Sequence, residues 1–359
     1  MTDLEVKLET HRQTRQTLSP ICFQVQHFGS SHRVKMQSLL LLVLCAGLHF
    51  ASSDIHQHNI QTLMDNVVVV RVPYAHGSMV EVPLTCGDAY EHKDVFWKKN
   101  GEELTPALQG NQITVLVKEM KAGNYSCHLS SSGEHLNYTL ILVQLEPDNR
   151  TVILEWNSPE EGHIHCSAMN YNGSFHCTWK KTQHRSHAAV LLIKASRYLD
   201  EISCVVDADG SGIQCQDVNC PYKEENNPIH LTIYMHSYSR LEAYTKSFFL
   251  REIVRPEKLP NLHISSSQVF SWAYPDTWEK PRTFFSLHFH VKVVHNGQSC
   301  NSDKIILDKT TEETKYDVVN IKSKKYVFCV RAQDKYAQGP WSQWSQCIVN
   351  KTEVNCQLL

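Results

Sequence analysis

The chain lacks a charge excess, a long hydrophobic run and the common catalytic signatures. Its 35 basic and 37 acidic residues give a net charge of −2, so the basic surface of a nucleic-acid-binding protein is excluded. After Ser53 there is no run of about 18 apolar residues, which argues against a membrane-spanning helix. No Gly-x-Ser-x-Gly, His-Glu-x-x-His or phosphate-loop motif occurs, and the 21 histidines are scattered. We therefore expect no enzyme activity, no metal site and no cofactor.

Cysteine, by contrast, is abundant. Thirteen cysteines without a Cys-x-x-Cys pair favour disulfides over zinc sites, and so an oxidising compartment. The apolar run Leu39–Leu44 follows Arg33 and Lys35 and precedes small residues, as in a secretion signal. We expect residues 1–53 to be a leader whose signal peptide occupies about 36–53. The predicted protein is secreted, without a membrane anchor.

Five Asn-x-Ser/Thr sequons fit a secreted surface. Such triplets also arise by chance, so we expect some of them, but not all, to carry glycan. The candidate positions are Asn124, Asn137, Asn149, Asn172 and Asn350.

Strand signals dominate the rest of the chain, so the predicted fold class is all-β. Stretches such as Ile113–Val117 and Leu287–Val293 alternate with period two or are rich in β-branched residues. Asn-Gly and Asp-Gly turn signals separate these stretches, and no long amphipathic helix is indicated. Without the leader, the length suits three sandwiches of about 100 residues each. We place them at 54–145, 146–255 and 256–350, followed by a tail at 351–359.

The first segment carries an immunoglobulin pattern. Cys86, Trp97 and Cys127 match a disulfide between two sheets with a tryptophan packed on it. Tyr125 lies two residues before the second cysteine, at the tyrosine-corner position. An immunoglobulin-like domain with a Cys86–Cys127 disulfide is therefore predicted.

The second segment contains two short-range cysteine pairs, each enclosing ten residues, which fits cross-linked adjacent strands of one sandwich. We predict the disulfides Cys166–Cys177 and Cys204–Cys215. The pairs, with the Cys-x-Trp element at Cys177, resemble the N-terminal half of a class I cytokine-receptor module, a fibronectin type III sandwich. Cys220 is the fifth cysteine of this segment, and an odd cysteine in a secreted protein suggests an inter-chain disulfide. A third internal pairing, shuffled with Cys204 or Cys215, is the alternative.

The third segment begins after a proline-bounded linker at Pro256–Pro260 and ends in a Trp-Ser-x-Trp-Ser motif. This motif is typical of the C-terminal fibronectin type III sandwich of the same receptor module. Arg331 can lay its guanidinium over an indole of the motif, which makes the motif structural. The motif residues are Trp341, Ser342, Trp344 and Ser345. The pairing of Cys300, Cys329, Cys347 and Cys356 stays open.

The whole arrangement resembles the family of soluble, receptor-like beta subunits of interleukin-12 and interleukin-23. The strings that carry this resemblance are Cys166–Trp179, Ser247–Pro256, Ser271–Trp278 and Val330–Tyr336. The resemblance implies a disulfide-linked partner, a four-helix alpha subunit of the interleukin-12 or interleukin-23 type, which docks at the elbow between the second and third sandwiches. It also implies class I cytokine receptors on target cells as further partners, and it leaves homodimer formation open.

The resemblance also implies the residues of the elbow site. Cys220 corresponds to the cysteine of the inter-subunit disulfide. The predicted contact residues are Tyr171, Glu224, Tyr274, Asp334 and Tyr336. Tyrosines make large, rigid anchors, and loop carboxylates pair with arginine, so these residue types suit a binding surface. For each position the alternative is a solvated loop residue or, for Tyr274, a core residue.

One other binding function fits the three-domain layout. A soluble or shed alpha-type receptor, like that of interleukin-6, has the same order of domains. The two functions differ at Cys220, because a covalent subunit needs this thiol, whereas a shed receptor binds reversibly. Adhesion by immunoglobulin and fibronectin domains would not require the Trp-Ser-x-Trp-Ser motif.

Overall fold

The structure is a computed structural model. It describes residues 59–146, 151–220, 224–265, 268–318, 321, 323, 325–350 and 354–356. The chain divides into two units, Met1–Ile55 and His56–Leu359, and all described residues belong to the second. The predicted leader and the sequon Asn149 lie outside the described residues. In the part of the chain described, no helix has the length and hydrophobicity needed to cross a membrane.

The first sandwich is built from eight strands around a disulfide and a buried tryptophan. The strand β2 pairs in parallel with β8, which continues through β7 and β4 to β5, while β3 and β6 pair on the other side. Trp97 is almost fully buried beside the Cys86–Cys127 disulfide. The strands are β1 (Ile60–Met64), β2 (Val67–Val72), β3 (Met79–Thr85), β4 (Val95–Lys99), β5 (Glu102–Glu103), β6 (Gln112–Lys118), β7 (Gly123–Leu129) and β8 (His135–Leu145), with a 3-10 turn at Asp88–Tyr90.

The second sandwich places four strands, in the order β13-β14-β10-β9, opposite the group β12-β11-β15-β16. In β15 alternate residues are buried, as the period-two pattern of Ile-His-Leu-Thr-Ile-Tyr-Met requires. The strands are β9 (His165–Ser167), β10 (Ser174–Thr178), β11 (Ala189–Arg197), β12 (Asp200–Glu201), β13 (Ser203–Val206), β14 (Gly212–Gln216), β15 (Ile229–Ser237) and β16 (Arg240–Phe248). A 3-10 turn lies at Gln183–Arg185, and a one-turn α-helix at Leu250–Ile253 leads into the linker.

The third sandwich packs a three-stranded sheet, β17-β18-β21, against a five-stranded sheet, β20-β19-β22-β23-β24. Its core contains Phe270, stacked face to face on Phe328 at 3.7 Å between ring centroids. The strands are β17 (His263–Ile264), β18 (Val269–Ser271), β19 (Leu287–His295), β20 (Ile305–Thr311), β21 (Lys315–Asp317), β22 (Tyr326–Asp334), β23 (Ser345–Val349) and β24 (Val354–Cys356). The all-β prediction of an immunoglobulin-like domain and two fibronectin type III sandwiches is confirmed.

A feature that the sequence did not predict joins the first two sandwiches. Strand β16 pairs in parallel with β8 through Arg240 opposite Val143 and Leu241 opposite Gln144. Leu241 and Leu142 also belong to a small apolar cluster at this junction. One sheet therefore continues across the predicted boundary near residue 145.

Among the residues that the structure describes, five disulfides cross-link the three sandwiches internally. The structure brings together the three pairs predicted from the sequence and resolves the connectivity that the sequence left open in the third sandwich. The disulfides are Cys86–Cys127, Cys166–Cys177, Cys204–Cys215, Cys300–Cys329 and Cys347–Cys356.

Two details at the C-terminal end differ from expectation. Part of the predicted tail is a strand, because β24 pairs with β23 and Cys356 is bonded to Cys347. The sequence also left the surroundings of Cys329 open, and this residue shares a covered face of β22 with Arg331. Val294 and Cys300 pack against Cys329, with Trp344 alongside, so Cys329 is fully buried.

Candidate partner-binding elbow

The elbow is the junction between the second and third sandwiches, and one continuous apolar core runs through both. Backbone hydrogen bonds hold the start of the linker against the second sandwich: Ala168 N–H donates to Ile253, and Arg255 N–H donates to Ala168. At the other end of the linker, Ser345 Oγ donates to the carbonyl oxygen of Leu259 at 2.9 Å. The linker is thus tied to both sandwiches.

A buried hydrogen bond between Tyr171 and Asp334 crosses the elbow. Tyr171 Oη donates to Asp334 Oδ2 at 3.1 Å. The tyrosine ring is fully buried and lies edge-on to Trp278 at 5.9 Å and tilted against Phe285 at 5.3 Å. Burial, and then the negative charge of Asp334, raises the pKa of Tyr171 above its ordinary value, so the hydroxyl stays a donor.

Asp334 also organises the loop that follows β22. Its second oxygen, Oδ1, accepts the backbone N–H groups of Tyr336 and Ala337, each at 2.8 Å. Asp334 is 1% exposed, so both its carboxylate and the Tyr171 ring lie inside the elbow rather than on its surface. Of the residues predicted to contact a partner, these two support the site from within.

The remaining predicted contact residues lie at the surface. Tyr336 is 61% exposed, and Lys335 Nζ lies 5.4 Å from the centre of its ring. Tyr274 is half-buried: its hydroxyl accepts the backbone N–H of Leu287 at 3.2 Å, and the Arg282 guanidinium covers its ring. Glu224 is exposed. Tyr274 is thus part of the sandwich structure as well as of its surface.

Cys220 lies in the loop between β14 and β15, close to Tyr171. Its Sγ donates to the carbonyl oxygen of Tyr171 at 3.3 Å, and the residue is half-buried. Gly173 makes this approach possible, because a Cβ there would lie 2.0 Å from the Asp217 carbonyl oxygen. Gly173 also has a positive φ of 89°, which favours glycine. The structure therefore brings the predicted inter-chain cysteine to the elbow, next to the Tyr171 loop.

Three buried charged side chains and the half-buried Arg251 form a group at the two ends of the Cys220 loop, and the sequence did not predict it. Arg197 pairs with Asp217 and with Glu225, at 2.8 Å in each case, and Arg251 lies 3.7 Å from Glu225. Glu225 also accepts the backbone N–H groups of residues 250 and 251, at the start of the one-turn helix. Acidic loop residues are usually solvated, so no local signal separates Glu225 from its exposed neighbour Glu224.

In the Trp-Ser-x-Trp-Ser motif of the third sandwich, the two indole rings pack against the guanidinium of Arg331. The Arg331 guanidinium lies 4.8 Å from the Trp341 ring and 4.4 Å from the Trp344 ring. Ser342 exchanges hydrogen bonds with the backbone of residue 332, and Ser345 binds the linker, so both serines are structural. These contacts connect the motif to β22 and to the linker.

Two histidines of β19 also pack against the rings of the motif. They are His288, edge-on to Trp341 at 4.9 Å, and His290, tilted against Trp344 at 5.1 Å. His290 Nδ1 accepts a hydrogen bond from Arg331 Nε at 3.1 Å. Both histidines lie on the face of β19 opposite Leu287 and Phe289, and the tryptophans cover that face. Burial lowers the pKa of His288.

Four of the five sequons lie in the described part of the chain. Asn124, Asn172 and Asn350 are exposed. Asn137 is half-buried, and its Nδ2, the atom to which a glycan would attach, donates to the Cys86 carbonyl oxygen at 3.0 Å. Asn172 adjoins Tyr171 in the elbow.

Comparison with known proteins identifies the family of this chain. A family model described as cytokine interleukin-12p40 C-terminus matches residues 161–237, and one described as tip attachment protein J, Ig-like domain, matches residues 260–344. The interleukin-12 subunit beta of Macaca mulatta is 33% identical over 314 residues, covering 79% of this chain and 91% of that protein. The proteins of the same name from Homo sapiens, at 32% over the same shares, and Sigmodon hispidus, at 30% over 80% and 92%, are similar too. This chain therefore belongs to the interleukin-12 subunit beta family.

Proposed function

We propose that this chain is the secreted, receptor-like subunit of a heterodimeric cytokine. Its partner is a four-helix alpha subunit of the interleukin-12 or interleukin-23 type, bound at the elbow. The observation that carries this proposal is the elbow itself, where Tyr336 and Glu224 are exposed and half-buried Cys220 lies beside Tyr171. Family membership favours a cytokine subunit over a shed receptor of the interleukin-6 type.

The elbow residues divide into two roles in this proposal. Tyr336 and Tyr274 supply aromatic surface, and Glu224 supplies a carboxylate for a basic residue of the partner. Tyr171 and Asp334 act indirectly. Their hydrogen bond fixes the angle between the two sandwiches, and Asp334 also holds the Tyr336 loop. A preformed elbow loses less conformational entropy on binding than a mobile one.

The Cys220 thiol forms the covalent link to the alpha subunit in this proposal. A disulfide at the rim of a bound surface makes association permanent, because the partner cannot diffuse away. The resulting heterodimer is secreted and engages class I cytokine receptors on target cells. The experiment below also detects a homodimer of this chain. A homodimer that formed in preference to the heterodimer would contradict the heterodimer as the functional species.

Co-expression tests the proposal. The full chain is co-expressed with an interleukin-12-type or an interleukin-23-type alpha subunit. The secreted material is then examined by non-reducing electrophoresis. We expect a covalent heterodimer that reductant separates. Cys220→Ser should give a heterodimer that is only non-covalent. Failure of both alpha subunits to bind would contradict the proposal, and reversible binding by the wild type would favour the shed receptor.

A second measurement tests the surface residues in the Cys220→Ser background. Tyr336→Ala should weaken binding of the alpha subunit by about 2 kcal/mol, as for a central aromatic anchor. The matched control is Tyr138→Ala, which removes a 41% exposed tyrosine from the first sandwich. Equal affinities of these two variants would contradict an elbow site.

A further inference from the structure

Among the described residues, Arg197 contacts both ends of the loop that contains Cys220. Arg197 is the last residue of β11, and it is 6% exposed. Its Nε donates to Asp217 Oδ2 at 2.8 Å, where the loop leaves β14. Its Nη1 lies 2.8 Å from Glu225 Oε1 and donates to the Asn227 carbonyl oxygen at 2.7 Å, where the loop approaches β15. The guanidinium thus joins the two ends of the loop beneath Cys220.

Each end of the loop is in turn fixed to the elbow. Asp217 Oδ1 accepts the N–H of Asn219, directly before the cysteine, and Asp217 N–H donates to the Gly173 carbonyl oxygen. Glu225 accepts backbone N–H groups of the one-turn helix, and Arg251 Nη1 donates to the Glu225 carbonyl oxygen at 2.9 Å. The two guanidinium groups balance the charge of the two carboxylates, which offsets the cost of burying Arg197, Asp217 and Glu225.

We propose that Arg197 is a positioning residue for the inter-chain disulfide, holding Cys220 at the elbow where a cysteine of the helical subunit reaches it. This inference rests on the proposed function, because it assumes that Cys220 is the covalent link. Only a planar fork can bind both loop ends at once; a lysine retains the charge but not the two directed contacts. Arg197 would act through the two ends of the loop rather than on the reacting sulfur.

The bond forms by thiol–disulfide exchange with a protein disulfide of the secretory compartment. The Cys220 thiolate attacks one sulfur of that disulfide, and the other sulfur leaves as a thiolate. The thiolate of the helical subunit's cysteine then attacks Cys220 Sγ and displaces the carrier. Two thiols lose two protons and two electrons, and the carrier becomes a dithiol. The second attack needs Sγ in a defined place, which is what the Arg197 contacts provide.

The test compares two rates in the full chain. The first is the reaction of Cys220 with the aromatic disulfide 5,5′-dithiobis(2-nitrobenzoate), with Cys220→Ser setting the background. The second is covalent heterodimer formation with an alpha subunit that binds the wild type. Arg197→Lys should raise the first rate roughly tenfold, because a released loop exposes the thiol to a small reagent. The same variant should lower the covalent fraction severalfold at equal non-covalent affinity.

Arg240→Lys is the matched control, since Arg240 forms an ion pair with Glu242 in the same sandwich but away from the loop. It should leave both rates unchanged. If Arg197→Lys is not secreted, Asp217→Asn opens one loop end only and should shift both rates in the same directions. Wild-type rates in a folded Arg197 variant would overturn the inference while leaving the covalent link intact. A covalent heterodimer in Cys220→Ser would instead overturn the proposed link.

Discussion

Removal of the Tyr171 hydroxyl tests the elbow most directly. Tyr171→Phe keeps the ring between Trp278 and Phe285 but takes one donor from the buried Asp334 carboxylate. Hydrogen bonds to charged groups contribute about 1.5–3 kcal/mol, so the free energy of unfolding should fall by that amount at pH 7. Urea denaturation followed by tryptophan fluorescence measures it, because Trp278 lies against the altered ring.

The same variant has a predicted pH dependence with a definite sign. The pKa of Tyr171 is raised in the folded chain, whereas in the unfolded chain a tyrosine ionises near its ordinary value, about 10. The stabilising contribution is therefore fully present below pH ~10 and is lost as the pH rises, by about 1.4 kcal/mol per pH unit. The unfolding free energies of wild type and Tyr171→Phe should converge between about pH 11 and pH 12.

Two features of the design isolate this effect. Both chains carry Cys220→Ser, so that no thiolate at that position starts disulfide exchange at alkaline pH. Tyr244, whose pKa is also raised by burial, is present in both chains and cancels in the difference. A difference between wild type and Tyr171→Phe that stays constant up to pH 12 would refute the assigned buried hydrogen bond.

Three further predictions concern the third sandwich and the sequons. Arg331→Ala should lower the thermal midpoint of that sandwich by removing two cation–π contacts, together worth about 1–3 kcal/mol; calorimetry would refute this if the midpoint is unchanged. Because the pKa of His288 is lowered, stability should decline as the pH falls below about 6.5, and His288→Asn should flatten that decline in urea titrations at pH 5–7. Mass spectrometry after glycosidase treatment should find glycan at Asn172 but not at Asn137, and the reverse pattern would contradict the Nδ2 contact of Asn137.

Local patterns accounted for much of the fold. Period-two alternation identified strands such as β6 and β19, and short cysteine spacing identified the pairs of the second sandwich because their cysteines lie on adjacent strands. The pairs of the third sandwich could not be predicted this way. Cys329 bonds Cys300 because the loop containing Cys300 folds over one face of β22, and that closure depends on tertiary packing around Trp344.

The candidate site, like the fold, could be predicted from the sequence only in part. Resemblance pointed to Tyr171 and Asp334 at the elbow, but not to their burial, which depends on rings of the third sandwich closing over Tyr171. The role of Arg197 could not be predicted, because its partners are 20 and 28 residues later in the chain, at two ends of one loop. A half-buried strand leaves a period of two in the sequence, whereas a guanidinium that links two ends of a loop leaves no periodic pattern.

The buried contacts and the exposed residues of the elbow imply an order of events. The Tyr171–Asp334 bond fixes the angle between sandwiches, and Arg197 fixes the loop of Cys220, and both are complete within this chain. A partner therefore meets a surface whose shape is already set, so little of its binding energy is spent on ordering. Variants that loosen the interior should slow covalent capture before they abolish binding, whereas variants of Tyr336 should weaken binding without changing thiol reactivity.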